Sequence, residues 1–300
     1  MEPMQPILPN DTARDLCVSI FRRSALGESV VPASIEPLLK PMADIRGVLF
    51  DVYGTLFSSS SGDIGVAQEQ SKTDCFRQSL SQIGCSADPR LIEASFFRAI
   101  KETHNTHRAR GAEYPEVRIE EIWRSILAEH ACVDSLDQFV CLKAAVEYES
   151  CANPVAPMPG ARRTIDHLAG KCEILGIVSN AQIFTRYLFD AYLGSSIEEL
   201  GIPESNCAWS YEIGEAKPST RIFLPLLGMI NKKFGIEPQN LLYVGNDMLN
   251  DVSTAEACEC RTALFAGDAR SLRMRQRHPE CVALEPDIIL TRLEQLESVI

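Results

Sequence analysis

The chain has 300 residues, with 41 acidic and 29 basic side chains and a formal net charge of −12. Apolar residues make up 45% and charged residues 23%, the proportions of a folded chain rather than a disordered one. Nucleic-acid binders usually carry a basic face, which so acidic a balance does not suggest, and no apolar run reaches the length of a membrane span, so neither partner is expected.

Residues 1–44 read as an extension lying outside the main core. Met1 to Asn10 carries no basic segment ahead of an apolar run, so it is not read as a signal peptide, and a cytoplasmic location is expected. Residues 12–23 are predicted as a short helix with Asp11 as its N-cap. Residues 30–41 hold three prolines and form a connector. Residues 45–50 are an apolar run ending at Asp51, and Gly54-Thr55 then turns the chain. This pattern predicts a buried parallel strand feeding a loop.

From 58 to 158 the texture changes. Helical periodicity marks 74–83, 88–106, 118–131 and 135–150, with Glu116, Glu120 and Glu121 as an acidic helix start. No strand is expected there. The segment reads as an inserted all-α domain. Residues 159–300 then alternate. Helices are predicted at 161–169, 184–193, 219–234, 251–257 and 293–299, and strands at 173–178, 207–211, 241–244, 261–265 and 287–290. The fold class is therefore α/β: a Rossmann-like, doubly wound parallel sheet built from 45–57 and 159–300. The eleven cysteines are read as reduced thiols. Cys258 and Cys260 lack the second pair that zinc requires and are read as small core hydrophobes.

Three predicted strands end in polar groups: Asp51, Ser179-Asn180 and Asp247. A lone acid at a strand end is usually a turn or cap. Three at successive ends are expected to converge, because open α/β sheets bind ligands outside the carboxyl ends of their strands. Asp51 is a carboxylate able to attack an electrophile and form a covalent ester or acyl phosphate. Asp247 and Asp251, four residues apart at a helix start, offer hard oxygen ligands for Mg²⁺, or else caps for that helix. Lys217 is either the counter-charge for these carboxylates and a bound anion or a solvated lysine. Ser179 offers a hydroxyl, and the amides after it an anion site.

Asp51-Val52-Tyr53-Gly54-Thr55-Leu56, Ser179-Asn180, Lys217-Pro218 and Gly245-Asn246-Asp247-Met248-Leu249-Asn250-Asp251 resemble, in order and spacing, the four motifs of the haloacid dehalogenase-like hydrolase superfamily. The resemblance covers 45–300, and the helical insert 58–158 resembles that family's cap domain in its usual place. It implies a nucleophile at Asp51, anion contacts from Thr55, Ser179, Asn180 and Lys217, and charge balance by Lys217. It also implies Mg²⁺ held by Asp51, the backbone carbonyl of Tyr53 and Asp247, with Asp251 in support.

One position departs from the pattern. Phosphatases of this superfamily carry an acid–base aspartate two residues after the nucleophile, where this chain has Tyr53. A phenol with a pKa near 10 is a poor proton shuttle at neutral pH. The family's 2-haloacid dehalogenases do carry tyrosine there and use no metal, but they have serine at the place of Asp247 and tyrosine at that of Phe223. Three readings follow, in this order: a Mg²⁺-dependent phosphohydrolase on a small, anionic phosphorylated metabolite; a metal-independent dehalogenase-like hydrolase; and a non-catalytic binding protein of the same fold. In the cap, His104, His107 and Arg108 share a helical face that offers an anion site, or else a solvated surface. Glu113-Tyr114-Pro115-Glu116 is a loop placed to reach the site. The chain is expected to be a monomer or homodimer.

Overall fold

Strands without polar interruption belong in the middle of a sheet, and β1 (Gly47–Phe50), wholly buried, lies there. In the computed structural model, which describes residues 10–24, 29–59, 72–132 and 136–300, β1 is followed by two short strands, β2 (Phe57–Ser59) and β3 (Val155–Pro157). Next come β4 (Ile174–Ser179), β5 (Cys207–Trp209), β6 (Leu241–Gly245), β7 (Arg261–Phe265) and β8 (Ile288–Leu290). All strands but β2 and β3 form one parallel sheet in the order β5-β4-β1-β6-β7-β8. The chain adds β4 and β5 on one side of β1, then crosses to build β6, β7 and β8 on the other. That reversal opens a crevice at the carboxyl ends of β4, β1 and β6. The Rossmann-like core is as expected.

The predicted all-α insert has a strand pair at its neck. β2 and β3 run antiparallel, with Phe57 opposite Pro157 and Ser59 opposite Val155, so the two crossings between core and insert are tied together. Three-residue strands show too little alternation to be read from sequence. Between them lie α2 (Thr73–Gln82), α3 (Pro89–Ala109), α4 (Ile119–Glu129) and α5 (Gln138–Ala152), preceded in the chain by α1 (Asp11–Arg23). Phe76, Phe96, Trp123 and Tyr148 form the centre of the helical unit, each ring within 6.0 Å of the others. α2 and α5 lie side by side and bring Cys75 and Cys151 to a Cα separation of 5.4 Å, where they form a disulfide. The expectation that every thiol is reduced fails for these two. Cys258 and Cys260 are buried core residues, as expected.

Helix α1 begins one residue earlier than predicted. Its N-cap is Asn10, whose Oδ1 accepts from Ala13 N at 2.9 Å, rather than Asp11. Nor does it lie outside the core: Ala13, Cys17, Ile20 and Phe21 are buried, and Phe21 meets Phe184 edge-on. It bridges the two units, pairing Arg14 with Asp190 of the core at 2.7 Å and Arg23 with Glu147 of α5. Residues 1–9, and with them most of the segment weighed as a signal peptide, lie outside the described residues, as does the predicted helix start at Ser135.

The remaining helices are α6 (Ala161–Ala169), α7 (Ser210–Ile213), α8 (Leu224–Phe234), α9 (Thr254–Ala257) and α10 (Leu296–Val299). Several predicted helices and one strand are broken up. The 184–193 helix is a 3₁₀ turn, Ile183–Arg186, followed by a wide turn, Phe189–Leu193. The 251–257 helix opens with another wide turn, Met248–Ser253. The strand predicted through Tyr211 stops at Trp209, where the backbone turns into a short helix, Ser210–Ile213, and the Ser210 hydroxyl bonds to Ala181 and Glu116.

The loop before α4 docks on the core. Glu116 N donates to Gly214 O at 3.1 Å, and Ala216 N to Tyr114 O at 2.8 Å. The Glu116 carboxylate is buried and accepts from Val117 N and Ser210 Oγ, both at 2.9 Å. Burial pushes its pKa up to about 7, although those two donors and Gln182 pull it down. The folded state therefore keeps a proton on Glu116 between the ordinary carboxylate range and about pH 7, and stability falls as pH rises through that window. Glu116→Gln should remove this dependence, so that the variant gains on the wild type by up to about 3 kcal/mol between pH 5 and pH 8. Urea denaturation at the two pH values measures this, and a difference that does not change with pH would contradict it.

Candidate active site

Asp51 leaves the sheet at the end of β1, where its N–H still donates to Val244 O at 2.9 Å. A tight turn follows. Gly54 takes a φ of 85°, and a Cβ there would stand 2.5 Å from the Asn246 amide, so glycine alone fits. The turn aims the Asp51 carboxylate into the crevice. Its Oδ1 accepts from Ser179 Oγ at 2.9 Å, at the end of β4, and from Lys217 Nζ at 2.8 Å.

Lys217 is the hub of the site. It is buried, and its ammonium donates to Asp51 Oδ1, to Asp251 Oδ1 at 2.6 Å and to Tyr243 OH at 2.7 Å. Burial alone would lower its pKa, but Asp251 and Asp51 outweigh burial and hold it above the ordinary lysine range. The reading of Lys217 as a solvated lysine is thus excluded. Asn180 fixes the backbone of this lysine on both sides: its Oδ1 accepts from Lys217 N at 2.7 Å and its Nδ2 donates to Lys217 O at 3.1 Å. Tyr243 in β6 donates its own O–H to Val178 O at 2.7 Å.

Asp247 and Asp251 both belong to the site, but they face different partners. Asp251 turns inward. Burial pushes its pKa up to about 6, Lys217 pulls it back, and its Oδ2 accepts from Asp247 N at 2.9 Å. Gly245 makes room for it, since a Cβ there would fall 2.4 Å or less from the Asp251 carboxyl carbon. Asp247 caps the following turn, its Oδ1 accepting from Leu249 N at 2.9 Å. Both its oxygens also accept from Arg275, at 2.7 Å from Nη2 to Oδ2 and 3.2 Å from Nε to Oδ1.

The implied Mg²⁺ does not fit these groups as they are arranged. Its hard oxygen donors would be Asp51, the Tyr53 carbonyl and Asp247. Asp247 is engaged on both oxygens by a guanidinium, and Asp51 on one by Lys217 and Ser179. Among the described residues, no group of three or more His, Cys, Asp or Glu is placed to hold a metal ion.

Two expected anion contacts are turned elsewhere. The Thr55 hydroxyl is buried and donates to Asn246 Oδ1 at 3.3 Å, away from the crevice. The Ser179 hydroxyl is buried and used on Asp51. Tyr53 lines the crevice, but its OH bonds to Thr185 Oγ1 at 3.0 Å. Burial, then Glu149, raise its pKa well above the ordinary phenol value, further from the range that suits a proton shuttle near neutrality.

The cap closes the crevice into a cavity of about 1170 Å³. His104 and Arg108 of α3 line it, together with Lys101 and Tyr114, while His107 is directed to Glu116 O at 3.0 Å. The expected three-residue face is therefore a pair. Burial, then Arg108 and His107, lower the pKa of His104.

Sequence reasoning missed two residues. Tyr243 looks like a strand hydrophobe, yet a buried phenol needs a partner, and that is the signal it offered. Arg275 comes from the long β7–β8 connection, where Arg270, Arg273, Arg275 and Arg277 crowd together in an acidic chain.

The carboxylate of Asp51 and the buried ammonium of Lys217 meet at the switch point of a parallel α/β sheet. The model of the haloacid dehalogenase-like hydrolases matches residues 45–259, and the chain belongs to that family. No curated protein matches it by sequence. Among solved structures it is similar to the 2-haloacid dehalogenase from Pseudomonas syringae pv. Tomato DC3000, at 18% identity over 85% of this chain and 97% of that one, with a TM-score of 0.52. It is also similar to the L-2-haloacid dehalogenase from Xanthobacter autotrophicus, at 16% identity, 85% and 97% coverage and a TM-score of 0.47. A third is the HAD phosphatase from Thermococcus onnurineus, at 14% identity, 85% and 97% coverage and a TM-score of 0.49. Likeness at such identity speaks for the fold alone.

Removing the lysine leaves Asp51 and Asp251 facing each other in a buried site. Lys217→Met should destabilise the fold by roughly 3–5 kcal/mol, the usual result of breaking a buried ion pair. Urea unfolding at pH 7.5 measures it, and a loss below about 1 kcal/mol, the scale of an exposed pair, would contradict the hub role.

Proposed function

We propose that this chain hydrolyses a bulky anionic phosphoryl compound through a covalent intermediate on Asp51. The observation that supports this most directly is the double hold on Asp51 Oδ1 by Lys217 and Ser179, which leaves Oδ2 as the attacking oxygen. In the first step Oδ2 bonds to phosphorus, and the bond to the leaving group breaks with its electron pair staying on the leaving oxygen. In the second, water attacks phosphorus, the bond to Oδ2 breaks, and the Asp51 carboxylate returns. Lys217 balances the charge of the acids throughout.

The Tyr53 phenol, bonded to Thr185 and with its pKa raised, is poorly suited to protonate the leaving group, and the proposed substrate is one whose leaving group departs without a proton. This favours acyl or aryl phosphates over alkyl monoesters. A cavity of about 1170 Å³ has room for a substrate well beyond a small haloacid, and Lys101 and Arg108 on its wall favour an anionic one.

Tyr53 is also the observation that favours a second reading, attack on a carbon bearing halide. The two differ in where water strikes. In heavy-oxygen water, attack at phosphorus places the label in phosphate, whereas hydrolysis of a carbon ester places it in the Asp51 carboxylate.

Purified protein should release phosphate from acetyl phosphate and p-nitrophenyl phosphate, and no halide from 2-chloropropionate. Asp51→Asn should lower turnover by roughly 10⁴-fold or more while the protein stays folded. Tyr53→Asp should raise turnover of an alkyl phosphomonoester by roughly 10²-fold, the lower end of general-acid effects. Halide release, or full activity in Asp51→Asn, would overturn the proposal, and ligand binding without turnover would make the chain a binding protein.

A further inference from the structure

The connection from β7 to β8 runs back over the carboxyl edge of the sheet and pairs with the loop after β6. Met248 N donates to Arg273 O and Arg273 N to Asn246 O, both at 2.9 Å. This two-sided backbone grip fixes the position of the residue two places on. Arg275 then takes a φ of 47°, a left-handed conformation that a non-glycine residue adopts only at a cost. That cost is offset where the side chain lands. Its guanidinium lies on Asp247, within 2.7–3.2 Å of both carboxylate oxygens. Asp247 is buried, whereas the Arg275 side chain is 30% exposed and lines the same cavity as Asp51 and Lys217.

Three carboxylates, Asp51, Asp247 and Asp251, therefore meet two protein cations in one buried crevice. Lys217 serves Asp51 and Asp251, and Asp247 has its own. A guanidinium stays protonated at any working pH and matches a carboxylate in its own plane, so it is a permanent counter-ion rather than a titrating one.

We infer that Arg275 is a built-in cation for Asp247, holding the place in which a divalent ion would otherwise bind, so that the wild-type site takes up divalent metal weakly. A metal must displace the guanidinium before Asp247 can serve as its ligand. Charge-assisted bonds to both oxygens must break first, so the competition weakens metal binding by roughly tenfold or more. The inference concerns the occupant of the carboxylate site. It stands whether the reaction occurs at phosphorus or at carbon.

Mn²⁺ serves as the probe, and its binding is followed by electron paramagnetic resonance and by calorimetry on the full-length protein, without substrate. Wild type should bind weakly. Arg275→Gln should bind one Mn²⁺ at least roughly tenfold more tightly, and Arg275→Gln/Asp247→Asn should lose that gain. Arg275→Lys, which keeps the charge but not the fork, should fall between wild type and Arg275→Gln, and it carries the test if Arg275→Gln does not fold. Equal Mn²⁺ affinity in wild type, Arg275→Lys and Arg275→Gln would overturn the inference. So would a gain that survives Asp247→Asn. Failure of turnover on every phosphoryl substrate would count against the proposed reaction and leave these binding results as they are.

Discussion

One ammonium group organises this active site. The three protons of Lys217 go to Asp51 after β1, to Asp251 in the turn after β6 and to Tyr243 within β6. Two carboxylates this close and this buried would not both ionise without a cation between them. Burial works against the cation in turn, and the two acids outweigh it and hold its pKa up. Sheet topology makes the meeting possible. The reversal of strand order about β1 places the ends of β4 and β6 on either side of Asp51, and the segment from β5 to α8 delivers the lysine.

The helical unit bears on the same lysine from above. Its loop at Tyr114–Glu116 pairs with Gly214–Ala216, the residues just before Lys217, and the buried Glu116 carboxylate anchors that contact. Helix α1 adds a second tie, with one arginine on the core and one on α5. The β2–β3 pair adds a third at the neck. The wall of the cavity and Asp51 are thus positioned by connected parts of one structure, and in the proposed reaction the cap residues on that wall, rather than the partners of Asp51, meet the body of the substrate.

Much of this was legible in the sequence because each feature has a local physical signature. Buried parallel strands show as unbroken apolar runs, and the groups that end them, Asp51, Ser179 and Asp247, converge by a rule of the fold. What was not legible depends on distant partners. Arg275 reaches Asp247 through backbone pairing of a segment with no periodicity. Thr55 and Ser179 look like ligand contacts, and only the packed structure shows their hydroxyls used on Asn246 and Asp51. His107 shares a helix with His104 and Arg108, yet a carbonyl on the docking loop draws it away. The Cys75–Cys151 bridge depends on which helices lie side by side, which scattered cysteines do not reveal.

The central claim is that Asp51 forms the covalent bond. Rapid acid quench during turnover of acetyl phosphate, followed by peptide mass spectrometry, tests it most directly. A phosphoryl adduct confined to the peptide carrying Asp51, rising within the first turnover and absent from unmixed protein, is the result expected. Phosphate released in that first turnover with no adduct on Asp51, or with the adduct on another residue, would contradict it.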